Sequence, residues 1–250
     1  MEDHKRFEHL TFDDFRRMAA DKSLSPYEKI GFPNSYREGK EQAIWSDILA
    51  KLPGLSGRNK VVLDIGPGCS ELPSMLIDLC RENGHTLLLV DSAEMLAQLP
   101  DHDFIEKHVA LYPDCPELLS RYAGQVDVML CYSVLHYVFV EGNVWAFVDT
   151  SIELLAHGGD LLIGDVPNSS MRRRFFSSPR GVEYHRAFTG DAEAVPEVSF
   201  GTVQSGVIDD SVVLGLLHRA RLAGCDSYVL PQGADLPMAN RREDVLIRRP

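Results

Sequence analysis

Long apolar runs are missing from this 250-residue sequence. No stretch reaches the roughly 18 apolar residues from which a membrane-crossing helix is read. The opening residues, MEDHKRFEHL, are polar and lack the apolar centre of a secretion signal. Cysteine is sparse. The five residues, Cys69, Cys80, Cys115, Cys131 and Cys225, are odd in number, widely spaced and never paired as C-x-x-C. A disulfide framework and a cysteine zinc cage are thereby disfavoured, and small core residues are the simpler reading. Nine histidines include no H-E-x-x-H and no H-x-H, so they imply no zinc site. Positive charge is also short: Lys and Arg total 25 against 37 Asp and Glu, a formal net charge of -12. Such a chain repels nucleic acid and anionic membrane surfaces except at a local basic patch. No D/N-P-P-Y/F run for base amines occurs, and repeats and low-complexity segments are lacking. A protein of the reduced cytoplasm is expected, with no nucleic-acid partner and no membrane insertion; a homodimer is compatible with the composition.

What is present is a core. Hydrophobic residues make up 44 % of the chain, enough for one moderate domain with additions. Residues 1–58 read as a helical cap or lid. Ser25-Pro26-Tyr27-Glu28 has a cap residue, a proline at the first helical position and an acid three after the cap. Ile44, Trp45, Ile48, Leu49 and Leu52 recur at helical spacing, and Pro53-Gly54 ends that helix. Gly31 to Arg37, between the two, reads as a loop.

Residues 59–250 alternate. Val61 to Ile65, Thr86 to Asp91, Phe104 to Lys107, Val126 to Cys131 and Leu161 to Asp165 read as strands. Between them lie helices at Leu72 to Cys80, through Met95 and Leu96, and at Val144 to Leu155. Residues 166–210 break the rhythm as an insertion, arginine-rich and then loop-like. A helix at Asp210 to Ala223 and closing strands at Ser227 to Leu230 and Asp244 to Ile247 follow. Apolar strands separated by helices predict an α/β, Rossmann-like, seven-stranded and mostly parallel sheet with helices on both faces.

The stretch V-V-L-D-I-G-P-G-C-S-E-L-P, residues 61–73, is a strand followed by a glycine turn. A P-loop needs G-x-x-x-x-G-K-S/T, and no such Lys follows. A dinucleotide turn needs G-x-G-x-x-G, and the third place is Glu71, whose carboxylate would repel a pyrophosphate. Asp64 ends the first strand, where ligands of open α/β sheets bind. A carboxylate there suits a cationic ligand without phosphate, and S-adenosylmethionine is one. Gly66 and Gly68 let the backbone approach its methionine and ribose portions. Asp91 ends the second strand, where a carboxylate accepts ribose hydroxyls.

These runs, with V-D-S, V-D-V-M-L-C-Y-S-V-L-H-Y-V and L-L-A-H-G-G-D-L-L-I-G-D, resemble the successive motifs of class I S-adenosylmethionine-dependent methyltransferases. The resemblance covers about residues 60–165, and more loosely 210–249. E-K-I-G-F-P-N-S-Y-R-E-G-K-E is similar to a small group of bacterial methyltransferases of surface-polysaccharide sugars. The resemblance implies that Asp64, Gly66, Pro67 and Gly68 line the cofactor's methionine end and Asp91 its ribose. Ser92 and Met95 would flank ribose and adenine, and Cys131, Tyr132 and Ser133 would lie beneath the methionine portion. Many members have an adenine-binding acid after strand three; here Lys107-His108-Val109-Ala110-Leu111 has none. Backbone groups at His108 and Val109 are the substitute.

Methyl transfer to a sugar hydroxyl gains from a general base. His136 is the first candidate, because an imidazole titrates near neutral pH, and Asp165 is the second. Each also has a plain structural reading, as a packed histidine and a strand-end cap. Asp165 and Asn168 are oxygen donors, but a third acid for a metal is not evident, so no metal is expected. The insertion carries Arg172, Arg173, Arg174, Arg180 and Arg186 against one acid, Glu183. Such arginines clamp a carboxylate or phosphate, or else form a solvated helix face. Asn168, Arg172, Arg173, Arg174 and Tyr184, with Tyr36 and Arg37 from the N-terminal loop, are the candidate acceptor residues. The expected acceptor is an anionic small molecule or glycan. A natural-product methyltransferase, a non-catalytic cofactor-binding module and a nicotinamide oxidoreductase are the rival readings.

Overall fold

The computed structural model describes residues 6, 7, 9–202 and 204–250. The first five residues of the N-terminal segment therefore lie outside it. Seven strands form one sheet in the order β3-β2-β1-β4-β5-β7-β6. They are β1 Val61–Ile65, β2 Thr86–Asp91, β3 Ile105–Val109, β4 Val126–Tyr132, β5 Leu155–Pro167, β6 Asp226–Pro231 and β7 Arg242–Arg248. The first five run parallel; β7 pairs antiparallel with both β5 and β6. The order reverses between β1 and β4, which opens a crevice at their carboxyl ends. The seven-stranded, mostly parallel Rossmann-like arrangement is thus present as expected.

Apolar residues bury both faces. Leu63, Leu88, Met129, Phe147 and Leu161 pack on one side, and Val62, Leu87, Leu89, Leu130 and Leu162 on the other. The helix Glu41–Lys51 places Ile44, Trp45 and Ile48 in the second of these clusters. The helices Phe12–Ala20, Pro26–Lys29 and Asn34–Arg37 instead stand over the carboxyl edge of the sheet. The capping box at Ser25 and Glu28 forms as read.

One expectation needs correction. Gly31 to Arg37 is not all loop, since Asn34–Arg37 makes one helical turn after Pro33, which supplies a fixed φ at its N-cap. The insertion is helical at first, and its described residues from 190 to 209 are loop-like as read. It holds the helices Ser169–Phe176 and Pro179–Thr189, begun by side-chain caps at Asn168 and Ser178. Polar composition concealed them, because both are amphipathic surface helices with few buried residues. All five cysteines are free thiols, four of them buried. No described helix is long and apolar enough to cross a membrane.

Candidate functional site

The sheet's carboxyl edge carries a cleft with an empty volume of about 1080 Å³, open mouth included. Its floor is the turn after β1. Gly66 and Gly68 both have positive φ, +68° and +69°. A Cβ on Gly66 would stand 2.7 Å from Val134, and one on Gly68 2.6 Å from Ile30. Only glycine meets both demands, so backbone rather than side chain faces the cleft here. The Gly66 N–H donates to the Val90 carbonyl at 2.9 Å, which ties the turn to β2.

Two carboxylates stand near this floor: Asp91 lines it, and Asp64 is buried behind it, outside the lining. Asp91 accepts from the Ser92 N–H at 2.7 Å and the Gly68 N–H at 3.5 Å. Burial holds its pKa up at about 6, against the pull of those two donors. Asp64 is 4 % exposed, and burial first, then the neighbouring Asp91, raises it to about 8. No described cation pairs with Asp64 to offset this. The pair is a cation-seeking feature, and it lies beside glycines that invite close approach.

Met95, Ala110, Leu111 and Tyr112 line the far end. The sequence reading placed that end two residues earlier, at His108 and Val109. The Val109 side chain is 66 % exposed, directed away from the cleft. His108 is half-buried with an unpartnered Nε2, and burial chiefly lowers its pKa. Neither is a cleft-lining residue. Ser92 caps the helix Ala93–Leu96 from behind the wall. Cys131 is wholly buried within β4, while Tyr132 and Ser133 after it do line the cleft.

Opposite the glycine turn lies a buried ionic cluster. Arg37, 4 % exposed, donates to Ser133 Oγ at 2.5 Å and stands 3.5 Å from Asp165 Oδ2. Its guanidinium lies 4.4 Å over the Phe32 ring and 5.6 Å over Tyr132. Asp165 Oδ2 also accepts from Ser133 Oγ at 2.5 Å and Arg242 Nη1 at 2.6 Å. Ser133 and Asp165 both adopt positive φ, +62° and +59°. For Asp165 the cause is a register shift between Ile163 and Val166 in the β5–β7 ladder, a bulge that re-aims the side chain. Gly164 beside it has no room for a Cβ, which would overlap the Tyr132 ring.

His136 follows β4 in the helix Leu135–Glu141, its ring tilted against Tyr137 with centroids 3.9 Å apart, and it is not among the residues that line the cleft. Burial, then Arg242, lowers its pKa to about 3, and its Nδ1 is buried without a partner. Tyr137 itself lines the cleft; burial first raises its phenol to about 12. Asn168 is fully engaged: its Oδ1 caps Ser170 and Met171, and its amide donates to Asp210 and Glu243. That leaves it no capacity to hold a metal or an acceptor, and the metal option involving it loses its second ligand. Among the described residues no group of three potential ligands stands together.

The arginine run divides. Arg173 donates to the Thr202 carbonyl and Gln204, and Arg174 pairs with Asp210. Both tie the insertion to its own return path. Arg172 lies 5.0 Å over the Phe176 ring, with Arg241 5.9 Å over the same ring. Tyr184 packs edge-on against Phe175 and Phe176. Tyr36 is half-buried on the same turn as Arg37 and does not line the cleft. The sequence reading missed Phe12, Phe15, Tyr137, Arg241 and Arg242. Tyr137 was signalled by its place beside His136; the others are distant in sequence and met only through folding.

No protein-family model and no curated protein matches the sequence. Solved structures do. The N-methyltransferase NodS from Bradyrhizobium japonicum, in complex with S-adenosyl-L-homocysteine, is similar over 96 % of this chain and 98 % of its own, at 15 % identity and TM-score 0.57. A SAM-dependent methyltransferase from Aquifex aeolicus aligns over 90 % of this chain and 98 % of its own, at 14 % identity and TM-score 0.53. The chain has the class I methyltransferase fold. The CurJ carbon methyltransferase shares it at 16 % identity and TM-score 0.54, over 94 % of this chain and 63 % of that one. Within this fold, the cleft described above lies at the switch point of the sheet.

Proposed function

We propose that the protein is an S-adenosylmethionine-dependent methyltransferase acting on an oxygen of a small or medium polar acceptor. One observation carries the cofactor reading. Two buried carboxylates without a cation, Asp64 and Asp91, flank a turn whose two glycines cannot bear side chains. Asp91 would accept the ribose hydroxyls, and Gly66, Pro67 and Gly68 would pass beneath the amino-acid end. Ala110, Leu111 and Met95 would enclose adenine by apolar contact, in place of the acid that residues 107–111 lack. The neighbours' names support the reading, since each is a methyltransferase.

S-adenosylmethionine supplies an electrophilic methyl group when bound. The chain's own contribution is alignment and the exclusion of water. Phe12, Phe15, Ile30 and Phe32 form an apolar cover on one side of the cleft. Asp165 is a poor base, because Ser133, Arg37 and Arg242 already use its outer oxygen. His136 fits better as the group that accepts a hydrogen bond from the acceptor hydroxyl. It stays neutral at physiological pH, and its Nδ1, buried just outside the cleft lining, has no partner among the described residues. A base this weak makes positioning the larger share of the rate enhancement. An anionic acceptor is supported by Arg172 and Arg241, which lie over the same Phe176 ring and form no ion pair among the described residues. An acidic sugar of a surface glycan is the specific reading; a natural-product acceptor is the alternative.

Calorimetry tests the cofactor. S-adenosylmethionine and S-adenosylhomocysteine should bind at micromolar concentrations and NAD should not. Binding of NAD alone would replace this reading with an oxidoreductase. The pH dependence gives a second check. With Asp91 near 6 and Asp64 near 8, a cationic ligand displaces protons from these acids on binding. Affinity for S-adenosylmethionine should therefore rise between about pH 5.5 and 8.5, by up to roughly tenfold per unit where one proton is released. A flat profile across that range would remove both acids as counter-charges.

A further inference from the structure

Glu41 opens the helix Glu41–Lys51 and is 1 % exposed. Among the described residues neither carboxylate oxygen has a partner in good hydrogen-bond geometry, Ser70 being only a near neighbour. Leaving such a group unpaired costs several kcal/mol by general experience, roughly 1–3 for each lost bond and more for a charge. Proteins retain it mainly where something outside the fold completes it. Its surroundings say what that is. Arg37 attracts it, but that guanidinium already serves Ser133 and Asp165. Glu71 repels it. Ser70 stands beside it, close enough to favour the ionised form, and Ser70 lines the cleft at the end of the glycine turn. Burial is the main influence and raises its pKa above the usual carboxylate value. Glu41 itself does not line the cleft, so Ser70 is the wall residue through which a cation in the cleft could reach it.

We propose that Glu41, with Ser70 between it and the cleft, is the counter-charge for the α-ammonium of the cofactor's amino-acid end. This rests on the S-adenosylmethionine reading. It gives the N-terminal segment a part in ligand recognition that the strand-end motifs do not supply. Ser70 Oγ accepts from the ammonium and donates to Glu41, so both are satisfied at once. Asp64 and Asp91 remain for the sulfonium side and the ribose.

The test compares three ligands by calorimetry on the full chain. S-adenosylmethionine has the ammonium and the sulfonium, S-adenosylhomocysteine only the ammonium, and 5′-methylthioadenosine neither. Glu41→Gln should weaken the first two about tenfold or more and leave the third within about twofold of wild type. Ser70→Ala should show the same selectivity with a smaller loss. The apo melting temperature of Glu41→Gln should rise, because an unpaired buried charge is removed. Equal weakening of all three ligands would show a structural role and overturn the proposal. So would unchanged binding of the first two, or weakening of S-adenosylmethionine alone. Failure of the wild type to bind any of the three would instead overturn the cofactor reading beneath it.

Discussion

Asp91→Ala loses two to three orders of magnitude in affinity for S-adenosylmethionine, and a similar factor for S-adenosylhomocysteine. The carboxylate faces the cleft and accepts from the Ser92 and Gly68 N–H groups, with the Ser92 side chain also close by. Two ribose hydroxyls can add two charge-assisted bonds, each worth about 1.5–3 kcal/mol. Losing both gives roughly 10²–10³-fold in the dissociation constant. The fold should not suffer, because the removed acid is already held up at about 6 by burial. A group raised in this way destabilises the native state as pH climbs past its unfolded value, so the apo melting temperature at pH 8 should hold or rise. Titration calorimetry with a melting curve on the same preparation separates the two effects. An affinity within threefold of wild type would dismiss Asp91 from the ribose site.

The second large effect is on stability. Asp165→Ala leaves Arg37 and Arg242 facing each other's field without a carboxylate, at 4 % and 12 % side-chain exposure. Breaking a buried ion pair from one side costs about 3–5 kcal/mol. In a chain of this size each kcal/mol moves the melting temperature by about 2–4 °C. A drop of roughly 6–20 °C is expected. Arg37→Ala should lose less, since Arg242 still satisfies Asp165. Activity lost at an unchanged melting temperature would return Asp165 to the role of base.

The parallel sheet was legible because β1, β2 and β4 are apolar runs bounded by turn chemistry, and such runs have few other places to go. The places of the glycine pair and Asp91 were legible for the same reason, since a strand end fixes where its last side chain stands; Asp64, one residue before the end of β1, is instead buried behind the cleft. The acceptor side was not. Arg37 meets Ser133 across 96 positions of sequence, and Arg242 reaches Asp165 across 77. No local pattern encodes such meetings. The arginine run misled in a simple way. Composition showed five arginines with one acid nearby, but Asp210 and the Thr202 carbonyl return from far along the chain to occupy two of them. Glu41 escaped notice because an acid in the first turn of a helix is ordinary; only its burial is not.

Gly164 and Tyr132 bear on how this site can evolve. The tyrosine ring fills the space in which any side chain at 164 would begin. Neither position can drift alone: a relative with a side chain at 164 must have a smaller residue at 132. That exchange would also remove the aromatic surface beside which Arg37 rests. Two neighbouring strands thus hold the N-terminal arginine in a three-way inheritance, and a change of acceptor specificity on this scaffold has to move all three together.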